Sequence, residues 1–272
     1  MKFALCNECC QGWTLDDTIR LARDCGYHAL EIAPFTLADH AAEITLAQRD
    51  RWRTLAERAG LRLIGLHWLL VSPPGLSLNG PDPNLRRQTC DYLHLLIDLC
   101  ADLGGDRMVI GSPKCRNLIP GLSWNDAWNN ALDTFRRLLP HAAERHVTLC
   151  IEPLARYECN FITTVREGLR LCQQLDSSWF RLHLDVKAMC DEQRPLDELI
   201  RQAAGFVAHL HVNDQNRNGP GWGDTDYAPI VRGLADIGYD DIASVEVFDF
   251  SFSPHDIAAR SIDFLRRTFP NS

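Results

Sequence analysis

Four ligand-type side chains close four successive apolar runs in the second half of the chain. Glu152 falls at the end of Val147–Pro153, and Asp185 ends Phe180–Asp185. His211 stands near the end of Phe206–Val212, and Glu246 near the end of Ile242–Val247. If these runs are parallel strands of one sheet, their C-terminal ends deliver two glutamates, one aspartate and one histidine to a single rim. One carboxylate at a strand end is common by chance, and alone it pairs with Arg or Lys or caps the next helix. Four ligand-type residues in a row are a different matter. Three carboxylates could hardly stay ionised together without a cation. Oxygen-rich ligation with one imidazole suits a divalent ion, Mn²⁺ first and Co²⁺ or Mg²⁺ after it, more than structural zinc; Zn²⁺ stays an option.

Further residues share the same ends. His209 lies on the face of His211 and His183 on the face of Asp185, since positions i and i+2 of a strand point the same way. They read as barrel-core residues or as groups that orient the ligands. His67, in the run Leu61–Trp68, is either an extra base or substrate contact, or an inward-facing filler. Ser112 and Lys114 follow the run Arg107–Ile110 and could meet an anionic group. Trp13, Trp68, Trp222 and Phe248 fall in or near the same loops, as apolar walls for a ligand or as plain packing. Cys6 and Cys9 have CxxC spacing, but no second pair completes a zinc ribbon.

The elements that must position these groups alternate regularly. Apolar runs begin at Phe3, Ala29, Leu61, Arg107, Val147, Phe180, Phe206 and Ile242. Helical segments follow over Thr14–Cys25, Thr45–Ala59, Asn84–Leu103, Ser123–Arg145, Thr163–Leu175, Pro195–Ala204, Tyr227–Ile237 and Ser253–Arg267. Thr14 is a good N-cap with Asp16 and Asp17 in the first turn, and Gly26, Gly60, Gly104 and Gly238 are stop signals. A parallel strand must be reached by a crossover, so eight strand–helix units predict an α/β protein with a (β/α)8 TIM barrel, one domain over 1–272. A doubly wound open sheet is the rival, and no GxGxxG follows the first strand to support it as a dinucleotide binder. Among 272 residues, 28 are basic and 36 acidic, a net charge of −8, which argues against a nucleic-acid partner. No stretch approaches the ~20 apolar residues of a membrane span. The start has no signal-peptide architecture, and eleven scattered cysteines suit a reducing cytosol, so a cytoplasmic protein is expected.

The stretches Ile151–Glu158, Leu184-Asp185, His209–Asp214, Asn216-Arg217 with Pro220–Gly223, and Ser244–Glu246 resemble the sugar phosphate isomerase/epimerase superfamily of xylose isomerase-like TIM barrels. Within it they resemble the D-tagatose 3-epimerase and ketose 3-epimerase branch. The match runs over 147–250, and the N-terminal half is compatible with it. The resemblance implies metal ligation by Glu152, Asp185, His211 and Glu246, with Glu152 and Glu246 also the acid/base pair. It implies that Glu158 and Arg217 hold substrate oxygens, and that the protein is a homodimer or homotetramer acting on a small sugar or keto-sugar. The chemistry is proton abstraction next to a carbonyl, through an enediolate that a Lewis acid stabilises. Two carboxylates on opposite faces of the sugar invert one carbon, whereas one base on one face moves the carbonyl.

One position departs from the pattern. The family often reads Asp-x-x-His on strand six, and here Asp185 is followed by Ala188. Lys187 beside it is either a cation that takes over the substrate contact or a solvated lysine. That departure keeps a second activity open, a keto-sugar lyase or C-glycoside-cleaving enzyme working by β-elimination. Abasic-site endonucleases share the barrel with more histidines, but Ser112 and Ala188 stand where histidines would be needed. A non-catalytic sugar-binding barrel would have no need of Glu152 and Glu246.

Overall fold

The computed structural model describes residues 1–269. Its strands are β1 (Lys2–Cys6), β2 (Ala29–Ile32), β3 (Arg62–Leu66), β4 (Arg107–Ile110), β5 (Thr148–Ile151), β6 (Phe180–Asp185), β7 (Val207–Val212) and β8 (Ile242–Val245). They pair in parallel in sequence order, and β8 returns to β1, with Leu5 opposite Val245, to close the barrel. The α/β, (β/α)8 expectation holds. The strands are buried on both faces, which is why they read as continuous apolar runs rather than alternating ones.

The helices are α1 (Leu15–Cys25), α2 (Leu46–Arg58), α3 (Pro83–Asp102), α4 (Trp124–Glu144), α5 (Val165–Leu175), α6 (Val186–Asp191), α7 (Leu196–Gln202), α8 (Ala228–Asp236) and α9 (Pro254–Thr268). Thr14, Thr45, Ser123, Thr164 and Ser253 each accept a backbone amide with their side chains, as their types suggest. One element differs from expectation. After β6 the chain turns straight into α6 before reaching α7. Asp185 causes this: its Oδ1 accepts the Ala188 amide at 2.7 Å and caps the new helix. A single carboxylate therefore ends a strand, starts a helix and faces the rim.

The barrel interior changes character along its axis. Ala4, Ala29, Ile64 and Ile242 form a small apolar plug. Beyond it the interior is polar, with Glu31, His183, His209, His211 and Ser244 all fully buried. Pairing registers shift between Leu30 and Glu31 and between Leu182 and His183. Such irregularities re-aim side chains, and here they fall where charged or polar groups enter the barrel. At the start of β4, Arg107 donates to Asp106 Oδ1 (2.7 Å), Asp241 Oδ2 (2.9 Å) and the Ala208 carbonyl (3.0 Å), tying the residues just before β4 and β8 to strand β7. Among the described residues no helix is long and apolar enough to cross a membrane.

Candidate active site

The four rim residues come together. Glu152 lies one residue past β5, Asp185 ends β6, His211 lies in β7 and Glu246 one residue past β8. Each offers a ligand atom, and these atoms all lie within 4.8 Å of one another. All four are buried. Gly111, just past β4, leaves room for Glu152: a Cβ there would sit 1.8 Å from Glu152 Oε2.

Each side chain is held by partners. Asp185 Oδ2 accepts from Asn213 Nδ2 at 2.6 Å. His211 Nδ1 lies 3.0 Å from Glu246 Oε2, and its Nε2 lies 3.1 Å from Glu31 Oε2. Glu31 Oε2 also takes His209 Nε2 at 2.7 Å. With Glu31 accepting from Nε2–H, His211 presents Nδ1 to the carboxylate cluster. Glu246 Oε1 accepts from the Trp68 indole at 2.6 Å and lies 3.4 Å from His67 Nδ1. The other nitrogen of His67 is 3.1 Å from Glu8 Oε2.

Charge is distributed unevenly. Burial pushes Glu152 well above the usual carboxylate range, and the nearby Glu246 and Asp185 charges push it further. Burial also lifts Asp185 to about 6; the Lys187 ammonium opposes the rise and Glu246 adds to it. Burial acts upward on Glu246 too, but the charges and hydrogen bonds of His211 and His67 overcome it and hold Glu246 well below its ordinary value. Glu31 behaves likewise, with His209 and His211 outweighing its burial. Three buried, mutually repelling carboxylates with one imidazole nitrogen fit a divalent cation, since such a charge would relieve the repulsion that raises Glu152. A second grouping, Cys6, His67 and His211, shares His211 with the first, and burial pushes its thiol up to about 11.

A cavity of about 480 Å³ opens over the cluster, with Glu152 and Glu246 in its wall. Glu158 and Lys187 line it as well. Lys187 is not a solvated lysine. It is buried, its Nζ is 2.5 Å from Glu158 Oε1, and it sits 4.1 Å from the Phe248 ring centroid. Burial works against its charge, but Asp185 and Glu158 outweigh that and keep it a firm cation. Arg217 is not among the residues lining the cavity; it is exposed in the loop between β7 and α8, with its guanidinium 5.8 Å from the ring of Phe248, which does line it. His67 touches Glu8 and Glu246 and is not among the residues lining the cavity. Ser112, Lys114, Trp68 and Phe248 do line it; Trp13 and Trp222 do not. Trp222 instead packs on Phe252 and under Arg260.

His183 and His209 are core residues beside the ligands. His209 reaches His211 through the shared Glu31 carboxylate. His183 has a ring centroid 4.1 Å from that of His211 and is held neutral by burial and by the neighbouring imidazoles. Four contributors escaped the sequence reading: Glu8, Glu31, Asn213 and the Trp68 N–H. Glu31 carried a signal, an acid inside the apolar strand Ala29–Ile32. Glu8 carried none, because it sits in a short turn of helix after β1.

A family model described as xylose isomerase-like TIM barrel matches residues 19–268. The chain is 26% identical over 234 residues to an L-ribulose 3-epimerase of Mesorhizobium japonicum, covering 86% of this chain and 75% of that one. It is 29% identical over 176 residues to a D-psicose 3-epimerase of Ruminiclostridium cellulolyticum, covering 63% and 59% respectively. A crystal structure of D-psicose 3-epimerase with D-tagatose from Clostridium cellulolyticum H10 superposes with a TM-score of 0.86 at 22% identity, covering 98% of this chain and 99% of that one.

Proposed function

The chain belongs to the xylose isomerase-like TIM barrel family, and from that premise we propose that it is a divalent-metal-dependent sugar epimerase that inverts the carbon next to a keto-sugar carbonyl, C3 of a ketose. It is an enzyme of the isomerase class, as its ketose 3-epimerase relatives are. The observation that carries the reading is the meeting of Glu152, Asp185, His211 and Glu246 within 4.8 Å at a cavity whose wall includes both glutamates.

Glu152, Asp185, Glu246 and His211 Nδ1 would hold the cation, and the oxygen-rich set suits manganese, with cobalt or magnesium able to substitute. Bound there, it would polarise substrate oxygens as a Lewis acid. The chain's own residues do the rest. Glu246, oriented by the Trp68 N–H and beside His67, is placed to take the proton next to the carbonyl. Glu152, the second glutamate in the cavity wall, is placed to return one to the opposite face. The resulting enediolate keeps its carbon skeleton, so one proton removed and one delivered leave only the configuration changed. Lys187 and Glu158 stand in the wall as donors and acceptors for sugar oxygens. Burial of the cluster strengthens each of these interactions.

The test is proton exchange. In D2O the enzyme should place deuterium at C3 of a ketose such as D-fructose, read by mass spectrometry. Glu246→Gln should lower that rate by about 10²–10⁴-fold with the fold intact. Turnover within tenfold of the parent would remove Glu246 from the mechanism.

A further inference from the structure

We propose that the keto-sugar taken by this site carries an apolar substituent, an aryl or alkyl group, that lies against the loop between β3 and α3. The proposal rests on the epimerase reading above. The cavity lining is of two kinds. Glu152, Glu246, Glu158 and Lys187 come from the segments that follow β5, β6 and β8. Leu70, Val71, Pro74 and Leu76 come together from the β3–α3 loop. At about 480 Å³ the space falls in the class of sites that hold drug-sized ligands, roughly 300–1,000 Å³.

The hydrogen-bonding groups of Leu70 and Ser72 in this loop are engaged within the protein. The Leu70 amide donates to Ser112 Oγ at 3.1 Å, and the Leu70 carbonyl accepts from Cys115 Sγ at 3.4 Å. Ser72 Oγ donates to the Asp39 carbonyl at 2.5 Å, and the Ser72 carbonyl accepts from the Tyr92 hydroxyl at 2.8 Å. The polar side chains beside this flank are Ser112 and the exposed Lys114. A free sugar bears hydroxyls along its whole length. A hydroxyl pressed against Leu70 or Leu76 would give up water without finding a partner, which is unfavourable. A methylene chain or aromatic ring in the same place gains from leaving water. Val71, which lines the cavity, is itself half exposed, so the apolar lining reaches the surface there.

The experiment compares methyl, butyl and phenyl 3-keto-β-D-glucosides with D-fructose, reading deuterium uptake from D2O by mass spectrometry. Each buried methylene is worth about fourfold in affinity. KM should therefore fall at least tenfold from the methyl to the butyl and phenyl compounds. Val71→Asp combined with Leu76→Asp should bring the butyl-to-methyl ratio back towards one. Equal KM values across the series, or exchange of D-fructose with none of the keto-glucosides, overturns the substrate class and leaves the epimerase reading standing. Exchange of no probe at all overturns the epimerase reading. Calorimetric titration with phenyl and methyl β-D-glucosides then decides the substrate class separately: a tenfold preference for phenyl supports it, and no preference overturns it.

Discussion

Glu31→Gln isolates what a buried carboxylate outside the cavity contributes to the site. Glu31 Oε2 accepts from both His209 Nε2 (2.7 Å) and His211 Nε2 (3.1 Å). A hydrogen bond to a charged group is worth about 1.5–3 kcal/mol and a neutral one about 0.5–1.5 kcal/mol, so neutralising Glu31 costs roughly 1–1.5 kcal/mol per bond. The His211 bond alone bears on the cation, because it fixes which ring nitrogen faces the cluster. Its weakening should reduce divalent-metal affinity by about tenfold, at the low end of the 10–100-fold typical when such supporting partners are removed. Both bonds bear on stability. A loss of about 2 kcal/mol should lower Tm by roughly 4–8 °C in a chain of this size. Calorimetric titration of metal-free protein with Mn²⁺ measures the first quantity and a thermal melt the second. A lowered Tm with metal affinity within twofold of the parent would refute the orienting role. It would mean that Glu31 only fills and neutralises the barrel interior.

Three other perturbations test different parts of the site and scaffold. Gly111→Ala places a methyl 1.8 Å from the present position of Glu152 Oε2, so the carboxylate must move; a displacement of that order should cost about 10²-fold in turnover, and an unchanged exchange rate would show that the position of Glu152 is not critical. Lys187→Met leaves Glu158 without its partner in the cavity wall, and because the Glu158 side chain keeps 19% of its exposure, the stability loss in urea should sit near the lower end for broken buried pairs, about 3 kcal/mol. An unchanged urea midpoint would show that the pair is not needed to hold that wall. Asp106→Asn tests the ties made by Arg107: burial pushes the Asp106 carboxyl up, but Arg107 and Arg62 outweigh it and hold it below its ordinary value. Its stabilisation is therefore present above the unfolded-state value of about 4 and lost as pH falls through the lower folded value. The variant should be less stable than the parent at pH 7, with the gap closing in strong acid; a constant gap between pH 2 and 7 would contradict the assignment.

Much of the scaffold was legible because barrel strands and helices announce themselves locally. Apolar runs gave the eight strands; Thr14 caps as its type suggested, and Ser123 and Ser253, where helices were expected to begin, cap as well. The one helix not anticipated, Val186–Asp191, depends on which way Asp185 turns, and its carboxylate could equally have faced solvent or a cationic partner. The rim quartet was legible for a similar reason. Strand ends are fixed by pattern, and closing a barrel must bring neighbouring ends together.

What the sequence determined by itself is the fold and the identity of those four residues, because both follow from short-range periodicity and from strand order. What only the tertiary structure decided is everything that depends on distance across the barrel. Glu31 on β2 serves His211 on β7, Glu8 after β1 meets His67 after β3, and Trp68 after β3 donates to Glu246 after β8. The sequence separations are large and carry no period. Lys187 and Arg217 make the same point from opposite sides. Both are cations near ligand positions in sequence, yet one is sealed against Glu158 in the cavity wall and the other is exposed in a loop. Burial and partner choice are properties of the closed barrel, and they set the charge state on which the chemistry depends.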